Sequence, residues 1–197
     1  DKVKQAHETG VVSSMGWRYS WKKEEAQRAA LRSHTTSVSV RTIAQLRPGD
    51  MPAKFFSVGK VFRNETLDWS HLFEFHQTEG IVIDEHLTIK HLLGFLTEFF
   101  KRMGFEKVRF RPGYFAYTEC SVEVDVLHPI HKKWIELGGA GIFRPEVIYP
   151  LLGKDLPVLA WGLGIERIIS MYYELEDIRD LYKNDIKQLR EVKLFIK

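Results

Sequence analysis

The sequence of 197 residues lacks the features that mark disulfide-bonded, zinc-binding and membrane-spanning proteins. It contains one cysteine, Cys120, so neither an internal disulfide nor a Cys-x-x-Cys zinc site can form. Its longest apolar run, around PVLAWGLGI, is far too short to cross a bilayer. No basic segment followed by an apolar one opens the sequence, so we expect a cytoplasmic protein without membrane contact.

The chain also lacks low-complexity segments and a strong charge imbalance. A formal net charge of +3 fits an anionic ligand but is too small to establish nucleic-acid binding. Because 44% of the residues are hydrophobic and 13% are aromatic, the chain can bury a sizeable core. We therefore expect one globular domain over residues 1–197.

Alternating residue patterns predict an α+β fold with a mainly antiparallel sheet flanked by helices. Helices are expected in KKEEAQRAALRS up to Ser33, in the run from the capping residue Thr88 to Gly104, and in IERIISMYYEL. The hydroxyl-rich stretch HTTSVSVR between the first helix and the first strand is expected to form a polar corner. Strands are predicted in FFSVGKVFR, HLFEFHQTEGIVID, KVRFRPGYFAYTE, SVEVDVL, KWIELGG and PVLAWGLG.

The predicted hairpin over residues 59–80, GKVFRNETLDWSHLFEFHQTEG, carries many polar groups on an apolar strand pattern. Alternation along a strand places its polar and aromatic side chains on shared faces. A guanidinium suits phosphate, an aromatic ring offers a stacking surface, and an amide beside a carboxylate can hold an ammonium group. This face is expected to bind a zwitterion beside a nucleotide, unless it is a solvated sheet face with cross-strand salt bridges. The side chains are Arg63 and Glu65 on the first strand and Phe75, Gln77 and Glu79 on the second.

A second motif, AWGLGIERII, begins at Ala160 in the last predicted strand and runs into a helix. Gly162 and Gly164 let the backbone approach a ligand closely, and Arg167 lies where its charge can meet a phosphate. The pattern Gly-x-Gly-x-Glu-Arg, preceded by RNE and His-x-x-x-Phe-x-x-x-Glu about a hundred residues upstream, is far more specific than any of its parts.

These two segments resemble motifs 2 and 3 of the class II aminoacyl-tRNA synthetases. The segments LRSHTTSVSVR, FHQTEG, YFAYTE, WIELGGAGIFRPE and EDIRDLYKND follow in the order typical of phenylalanyl-tRNA synthetase α subunits of the archaeal and eukaryotic type. The resemblance covers nearly the whole chain. It implies a class II catalytic domain that uses ATP and Mg²⁺ to activate L-phenylalanine and transfers the phenylalanyl group to tRNA(Phe).

The resemblance also assigns roles to individual residues. In the ATP site, Arg63 would bind the α-phosphate and the substrate carboxylate, and Arg167 would cover adenine and reach the γ-phosphate. Glu65 would face adenine, His71 the terminal phosphates, and Phe75 would stack on adenine. In the amino-acid site, the polar end would be held by His34, Thr36, Gln77 and Glu79, and the ring by Phe115, Tyr117, Phe143 and Ala160.

The metal assignment leaves two carboxylates open. Glu119 is similar to the family's magnesium ligand, and Glu136 in a similar strand-like setting is the second choice. The histidines of the turn HPIHKK, His128 and His131, have no cysteine partner, so we expect a solvated hairpin tip without function.

The resemblance further implies a β subunit as partner, in an (αβ)₂ heterotetramer that binds tRNA(Phe). The sequence lacks motif 1, the upstream helix and strand of this class, so we expect a catalytic portion with little activity alone. The family pattern has prolines where this chain has Ala116 and Cys120. Their loss removes two backbone constraints from the loop beside the ring pocket.

Two rival functions are compatible with parts of the sequence. A ligase for another amino acid, such as O-phosphoserine, would need basic and hydroxyl groups where Phe115 and Tyr117 stand. A non-catalytic module that keeps the fold for binding or assembly should have lost Arg63 or Arg167, and both are present.

Overall fold

The computed structural model describes residues 2–128 and 132–192. Within these ranges six strands form one sheet: β1 (Ala53–Phe62), β2 (Glu74–Ile83), β3 (Val108–Pro112), β4 (Thr118–Leu127), β5 (Trp134–Phe143) and β6 (Val158–Gly164). The strand order is β1-β2-β6-β5-β4-β3, and each neighbouring pair is antiparallel. The predicted α+β class with a mainly antiparallel sheet is confirmed.

Seven α-helices accompany the sheet in the described part of the chain. They are α1 (Lys2–Glu8), α2 (Lys23–Ala26), α3 (Thr36–Ile43), α4 (Ile89–Arg102), α5 (Pro145–Leu152), α6 (Ile165–Tyr172) and α7 (Ile186–Glu191). Two short 3₁₀ helices lie at Pro48–Asp50 and Ile178–Tyr182.

The two faces of the sheet are covered by different helices because successive side chains of a strand point to opposite faces. On β2, Val82 belongs to a core shared with α4 and α6, whereas Ile81 and Ile83 belong to a core shared with α3 and α5. On β6, Leu159 lies in the first core and Ala160 in the second. The fold is therefore a sheet between two pairs of helices.

Helix α4 forms where the apolar spacing predicted it. Leu92, Leu96 and Phe100 recur every four residues and are fully buried, so one stripe of the helix faces the first core. Thr88 precedes the helix, and its backbone N–H donates to the Nδ1 atom of His91 at 3.1 Å. After the helix, Gly104 adopts φ +92°, a left-handed conformation that glycine reaches without strain.

The first predicted helix is mostly wrong. Only Lys23–Ala26 is helical, and no residue of this helix is buried, so helix propensity acts there without tertiary packing. A helix so short is marginal by itself. Near Ser33 the chain lies beside the end of β1 instead, where the backbone N–H of Phe62 donates to the carbonyl of Arg32 at 2.9 Å.

The polar corner expected in HTTSVSVR is also wrong, because most of this stretch forms helix α3. Ser39 and Ile43 are four residues apart and buried, so they lie on one helical face that packs against the sheet. The hydroxyl groups near its N-terminus find partners on β2, which sequence patterns did not reveal.

Two predicted strands end earlier than expected. β1 stops at Phe62, so Arg63 and Glu65 follow the strand instead of sharing its face, although the backbone N–H of Arg63 still donates to Phe73 at 2.9 Å. β3 stops at Pro112, and residues 113–117 form a loop before β4.

Candidate active site

A cavity of about 340 Å³ opens on the sheet face that α3 and α5 cover only in part. Along β2 this face carries apolar Ile81 in the core under the helices and polar Gln77 and Glu79 in the cavity lining. Every predicted site residue except Glu119 lines the cavity. These are His34, Thr36, Arg63, Glu65, His71, Phe75, Gln77, Glu79, Phe115, Tyr117, Phe143, Ala160, Gly162, Gly164 and Arg167.

Arg63 and Phe75 form one pair on the cavity wall. The guanidinium carbon of Arg63 lies 5.1 Å from the centroid of the Phe75 ring, which is the range of a cation–π contact. Arg63 is exposed and Phe75 is half-buried, so the pair borders open space. A planar ligand group can stack on the ring while an anionic group meets the guanidinium.

A second guanidinium, that of Arg167, is held from the first turn of α6. Its Nη1 atom donates to the carbonyl of Glu136 at 2.9 Å, and its Nη2 atom lies 3.5 Å from the Nε2 atom of His71. The Nδ1 atom of His71 lies 3.0 Å from Asp68. The backbone N–H of Ser70 leads the interactions that hold the pKa of Asp68 well below its usual range. Two cationic groups therefore line one cavity.

Glu79 is a buried carboxylate held by three hydroxyl groups. Thr35 and Thr36 donate to its Oε2 atom at 3.1 and 2.8 Å, and Ser39 donates to Oε1 at 2.6 Å. Burial raises the pKa of Glu79, and the three hydrogen bonds oppose that shift. Beside it, the Oε1 atom of Gln77 accepts from the backbone N–H of Thr35 at 3.1 Å. A carboxylate has about four acceptor positions, so a further donor can still bind.

Aromatic rings form another part of the cavity wall. The ring centroid of Tyr117 lies 6.4 Å from that of Phe115, 6.2 Å from Phe143 and 6.0 Å from His34. Burial, followed by the charge of Glu79, raises the pKa of Tyr117, so its hydroxyl stays protonated. For His34, burial and then the charge of Arg63 lower the pKa and favour the neutral ring.

Glycines leave the space that these side chains occupy. A Cβ atom on Gly162 would lie 2.2 Å from the Nε2 atom of Gln77, and one on Gly139 would lie 2.1 Å from the Phe115 ring. Both distances are well inside van der Waals contact. The absence of side chains at these strand positions therefore lets an amide and an aromatic ring enter the cavity.

The two candidate magnesium ligands lie in different places. Glu136 lines the cavity, next to Arg167. Glu119 is exposed at the start of β4, outside the cavity lining, and its charge acts on Arg144. Over residues 2–128 and 132–192, no three His, Cys, Asp or Glu side chains cluster as a metal site. Of the two candidate ligands, Glu136 is therefore the one within reach of a cation that phosphate groups in the cavity would also coordinate.

The expected solvated hairpin tip needs a correction at His128, which is 7% exposed at the end of β4. Its backbone N–H donates to the carbonyl of Lys133, just before β5, at 2.8 Å. His131 lies outside the described residues.

Sequence reasoning missed three residues of the site. Thr35 and Ser39 hold Glu79, and the signal was present as hydroxyl side chains at helical spacing. Glu166 is 5% exposed and lines the cavity, where its Oε1 atom accepts from the backbone N–H of His76 at 2.7 Å. No pattern separated this glutamate from an ordinary residue in the first turn of a helix.

No helix among the described residues has the length and apolar character that a membrane crossing requires.

Comparison with known proteins places the chain among synthetases. The family model described as tRNA synthetases class II core domain (F) matches residues 4–192. The phenylalanine–tRNA ligase alpha subunit of Methanopyrus kandleri is 50% identical over 194 residues, which are 98% of this chain and 37% of that protein. Those of Dictyostelium discoideum and Mus musculus are each 48% identical, over 94% and 91% of this chain and 39% and 36% of their own lengths.

The chain therefore spans less than two fifths of the length of these three relatives. The expected resemblance to archaeal and eukaryotic α subunits is confirmed by identities of this size over most of the chain. Because the family match covers nearly all of the sequence, and motifs 2 and 3 meet in one cavity, this protein belongs to the tRNA synthetases class II core domain family (F).

Proposed function

We propose that this chain is the catalytic domain of a phenylalanyl-tRNA synthetase α subunit. It activates L-phenylalanine with ATP to phenylalanyl-adenylate and transfers the phenylalanyl group to tRNA(Phe). The observation that carries the proposal is that one cavity contains both buried polar groups and aromatic rings. The buried Gln77 and Glu79 suit a charged ammonium, whereas Phe115 and Tyr117 suit an apolar ring.

The amino acid lies between these two ends. Its ammonium donates to the acceptor positions of Glu79 that the hydroxyl groups leave open and to the neighbouring amide of Gln77. Thr36 acts through Glu79, to which its hydroxyl donates, and His34 borders the polar end. The side chain packs against the rings of Phe115, Tyr117 and Phe143, and Ala160 forms the floor.

ATP lies on the side of the two arginines. Adenine stacks on Phe75 and faces Glu65, while Arg63 meets both the α-phosphate and the amino-acid carboxylate. Arg167 covers the other face of adenine and reaches the γ-phosphate, beside His71. Gly162 and Gly164 allow the backbone of β6 to approach the nucleotide closely.

The reaction needs no nucleophile from the protein. An oxygen of the amino-acid carboxylate attacks the α-phosphorus, the bond to the bridging oxygen breaks, and pyrophosphate leaves with the electron pair. Arg63 and Arg167 align two anions and stabilise the charge that develops on the phosphates. The 2′-hydroxyl of the terminal ribose of tRNA then attacks the acyl carbonyl carbon and gives up its proton, the bond from this carbon to the phosphate oxygen breaks, and AMP leaves with the electron pair.

Mg²⁺ supplies charge neutralisation on the phosphates when it is bound. In this chain Glu136 would hold it, because this residue lines the cavity and its backbone carbonyl accepts from Arg167. Glu119 lies outside the lining of this cavity and remains a candidate for a separate metal position.

The names of the relatives support a partner subunit, since each is called an alpha subunit. We infer that this chain acts with a β subunit in an (αβ)₂ heterotetramer that binds tRNA(Phe) in the cytoplasm.

ATP–pyrophosphate exchange across the twenty amino acids tests this function in the assembly with the β subunit. We expect exchange with L-phenylalanine, and with L-tyrosine only at much lower kcat/KM. Exchange with a different amino acid would identify another ligase. Exchange with none, from a folded assembly that binds ATP, would indicate a binding module.

A further inference from the structure

The loop of residues 113–117 carries Phe115 and Tyr117 into the cavity, whereas the side chain of Ala116 between them is exposed. The two ends of the loop are tied to the sheet. The backbone N–H of Gly113 donates to Ser121 at 3.0 Å, and the carbonyl of Tyr117 accepts from Arg144 at 3.0 Å. At its centre, Ala116 leaves the backbone φ angle free, whereas a proline would fix it. The conformation of this part of the loop therefore depends on contacts with other residues.

That centre is held by Trp17. The indole Nε1 atom of Trp17 donates to the backbone carbonyl of Ala116 at 2.7 Å, and Trp17 itself does not line the cavity. This contact joins residues 99 positions apart in the sequence. Trp17 is half-buried and Ala116 is exposed, so the hydrogen bond lies at the protein surface.

The Trp17 indole packs against side chains that are themselves held by hydrogen bonds. The guanidinium carbon of Arg144 lies 5.0 Å from the Trp17 ring centroid, and the His7 ring lies 4.6 Å away on centroids. Arg144 donates from Nη2 to the Oε1 atom of Glu146 at 2.7 Å, and Ser14 donates to the same carboxylate, which is 4% exposed. The backbone N–H of Trp17 also donates to the carbonyl of His7 at 3.0 Å.

We propose that Trp17 is a positioning residue for amino-acid specificity: its indole N–H fixes the loop that carries Phe115 and Tyr117, and so sets the width of the ring pocket. The proposal rests on the proposed function. Phe115 already lies against Gly139 with no room for a Cβ atom, so the ring has little freedom on that side. A loop released at Ala116 moves the ring outward and widens the pocket.

The nucleotide side is built on other elements. Arg63 and Phe75 lie at the ends of β1 and β2, and Arg167 lies on α6. Loss of the Trp17 hydrogen bond therefore changes the binding of the amino acid and leaves that of ATP unchanged. A tryptophan that only packs the N-terminal segment would change stability without this separation.

Trp17→Phe and a matched control, Trp21→Phe, test the proposal in the active assembly. Phenylalanine at position 17 keeps an aromatic ring over Arg144 but has no N–H donor. The Trp21 ring contacts the same His7, at 4.7 Å on centroids, and lies outside the cavity lining. For Trp17→Phe we expect KM for L-phenylalanine to rise about threefold to tenfold, the effect of one hydrogen bond, with KM for ATP unchanged.

The preference for L-phenylalanine over L-tyrosine, as the ratio of their kcat/KM values, should fall by a similar factor in Trp17→Phe and stay constant in Trp21→Phe. An unchanged ratio in Trp17→Phe would overturn the proposal. A parallel rise of the KM values for L-phenylalanine and ATP would overturn it as well.

Amide hydrogen exchange gives a second readout that does not need activity. The backbone amides of Gly113 and Thr118 donate hydrogen bonds at the two ends of the loop. In Trp17→Phe these amides should exchange with solvent faster than in the wild type and in Trp21→Phe. Equal rates would overturn the anchoring of the loop. If the wild-type assembly activates no phenylalanine, the proposed function fails, and hydrogen exchange still decides whether Trp17 holds the loop.

Discussion

Glu79 shows how a single buried carboxylate is kept available for a cation. It is 2% exposed, and burial alone would favour its protonated form. The three hydroxyl groups that donate to it favour the charged form and fix its orientation toward the cavity. The residue thus combines the low dielectric that strengthens an ion pair with the hydrogen bonds that preserve its charge.

Removing one of these hydroxyl groups should shift the pH dependence of activity. In Ser39→Ala the charged form of Glu79 loses its 2.6 Å hydrogen bond, so the pKa of Glu79 rises further. Since the ammonium binds only the ionised carboxylate, activity is lost as pH falls through this raised pKa. We expect the acid limb of kcat/KM for phenylalanine to move up by about one pH unit, the scale of a hydrogen bond to a charged group.

The control for this variant is Ser37→Ala, which changes an exposed serine on the same helix. An acid limb at the same pH in Ser39→Ala and wild type would show that the Ser39 hydroxyl does not support the charge of Glu79.

A second prediction at this scale concerns Arg63. Arg63→Ala should lower adenylate formation by about 2 to 4 kcal/mol of transition-state stabilisation, because it removes one oriented cation from the reacting phosphate. Arg63 is exposed, so the fold should remain intact. The measurement is ATP–pyrophosphate exchange, with Arg41→Ala, an exposed arginine outside the cavity, as control. Wild-type exchange in folded Arg63→Ala would remove Arg63 from the reaction.

Among the elements, β6 and its junction with α6 organise the site. Gly162 lies opposite Glu79 in the pairing of β6 with β2, and Gly164 lies opposite Gln77. The backbone pairing of β2 with β6 ends at Gln77 and Gly164. At the residue just before Gln77, the backbone N–H of His76 donates to the side chain of Glu166 instead. The strand thus leaves room for side chains of β2, and the helix after it keeps β2 in place.

A methyl group on β6 should disturb the amino-acid site without unfolding the protein. In Gly162→Ala the new Cβ would lie 2.2 Å from the Nε2 atom of Gln77, and the end of that side chain can move more easily than the backbone. We expect KM for phenylalanine to rise about tenfold, because the amide loses its place, while the thermal midpoint falls by a few degrees at most.

Gly94→Ala serves as the matched change, since a Cβ on Gly94 of α4 would meet open space. A KM for phenylalanine that is unaffected in Gly162→Ala would contradict the placement of Gln77 in the binding site.

At the scale of the whole molecule, one edge strand of the sheet carries exposed apolar side chains. β1 is an edge strand, and its Phe56 and Val58 side chains are 83% and 53% exposed. An exposed apolar edge of this kind favours association with another segment or chain. The chain also corresponds to less than two fifths of the length of three relatives called alpha subunits.

We therefore predict that the 197-residue chain alone charges tRNA poorly. The reason is that the acceptor end of tRNA must be held against the cavity, and misplacement by an ångström can cost about a hundredfold in rate. Charging of tRNA(Phe) by the isolated chain should be compared with that of the full α subunit assembled with its β subunit. Equal rates would show that the cavity needs no further part to position tRNA.

The strand pattern and the two motifs could be derived from sequence because both depend on local spacing. Alternation along β2 put Gln77 and Glu79 on one face, and apolar spacing predicted α4 from Thr88 onward. The family resemblance followed from short, ordered segments that need no knowledge of packing. The site residues assigned by the resemblance line one cavity in the structure, with Glu119 as the exception.

Tertiary structure decided what local patterns left open. Helix propensity favoured a helix up to Ser33, but only Lys23–Ala26 is helical, because this segment has no buried face. The hydroxyl-rich stretch was expected to form a corner, but it forms α3, whose Ser39 donates a hydrogen bond to Glu79. The hold of Trp17 on Ala116 spans 99 residues, and no periodicity in sequence marks such a pair. Local spacing fixes which face a side chain takes, but only the packed chain determines which distant group meets it there, because burial and hydrogen bonding act between residues that are neighbours in space.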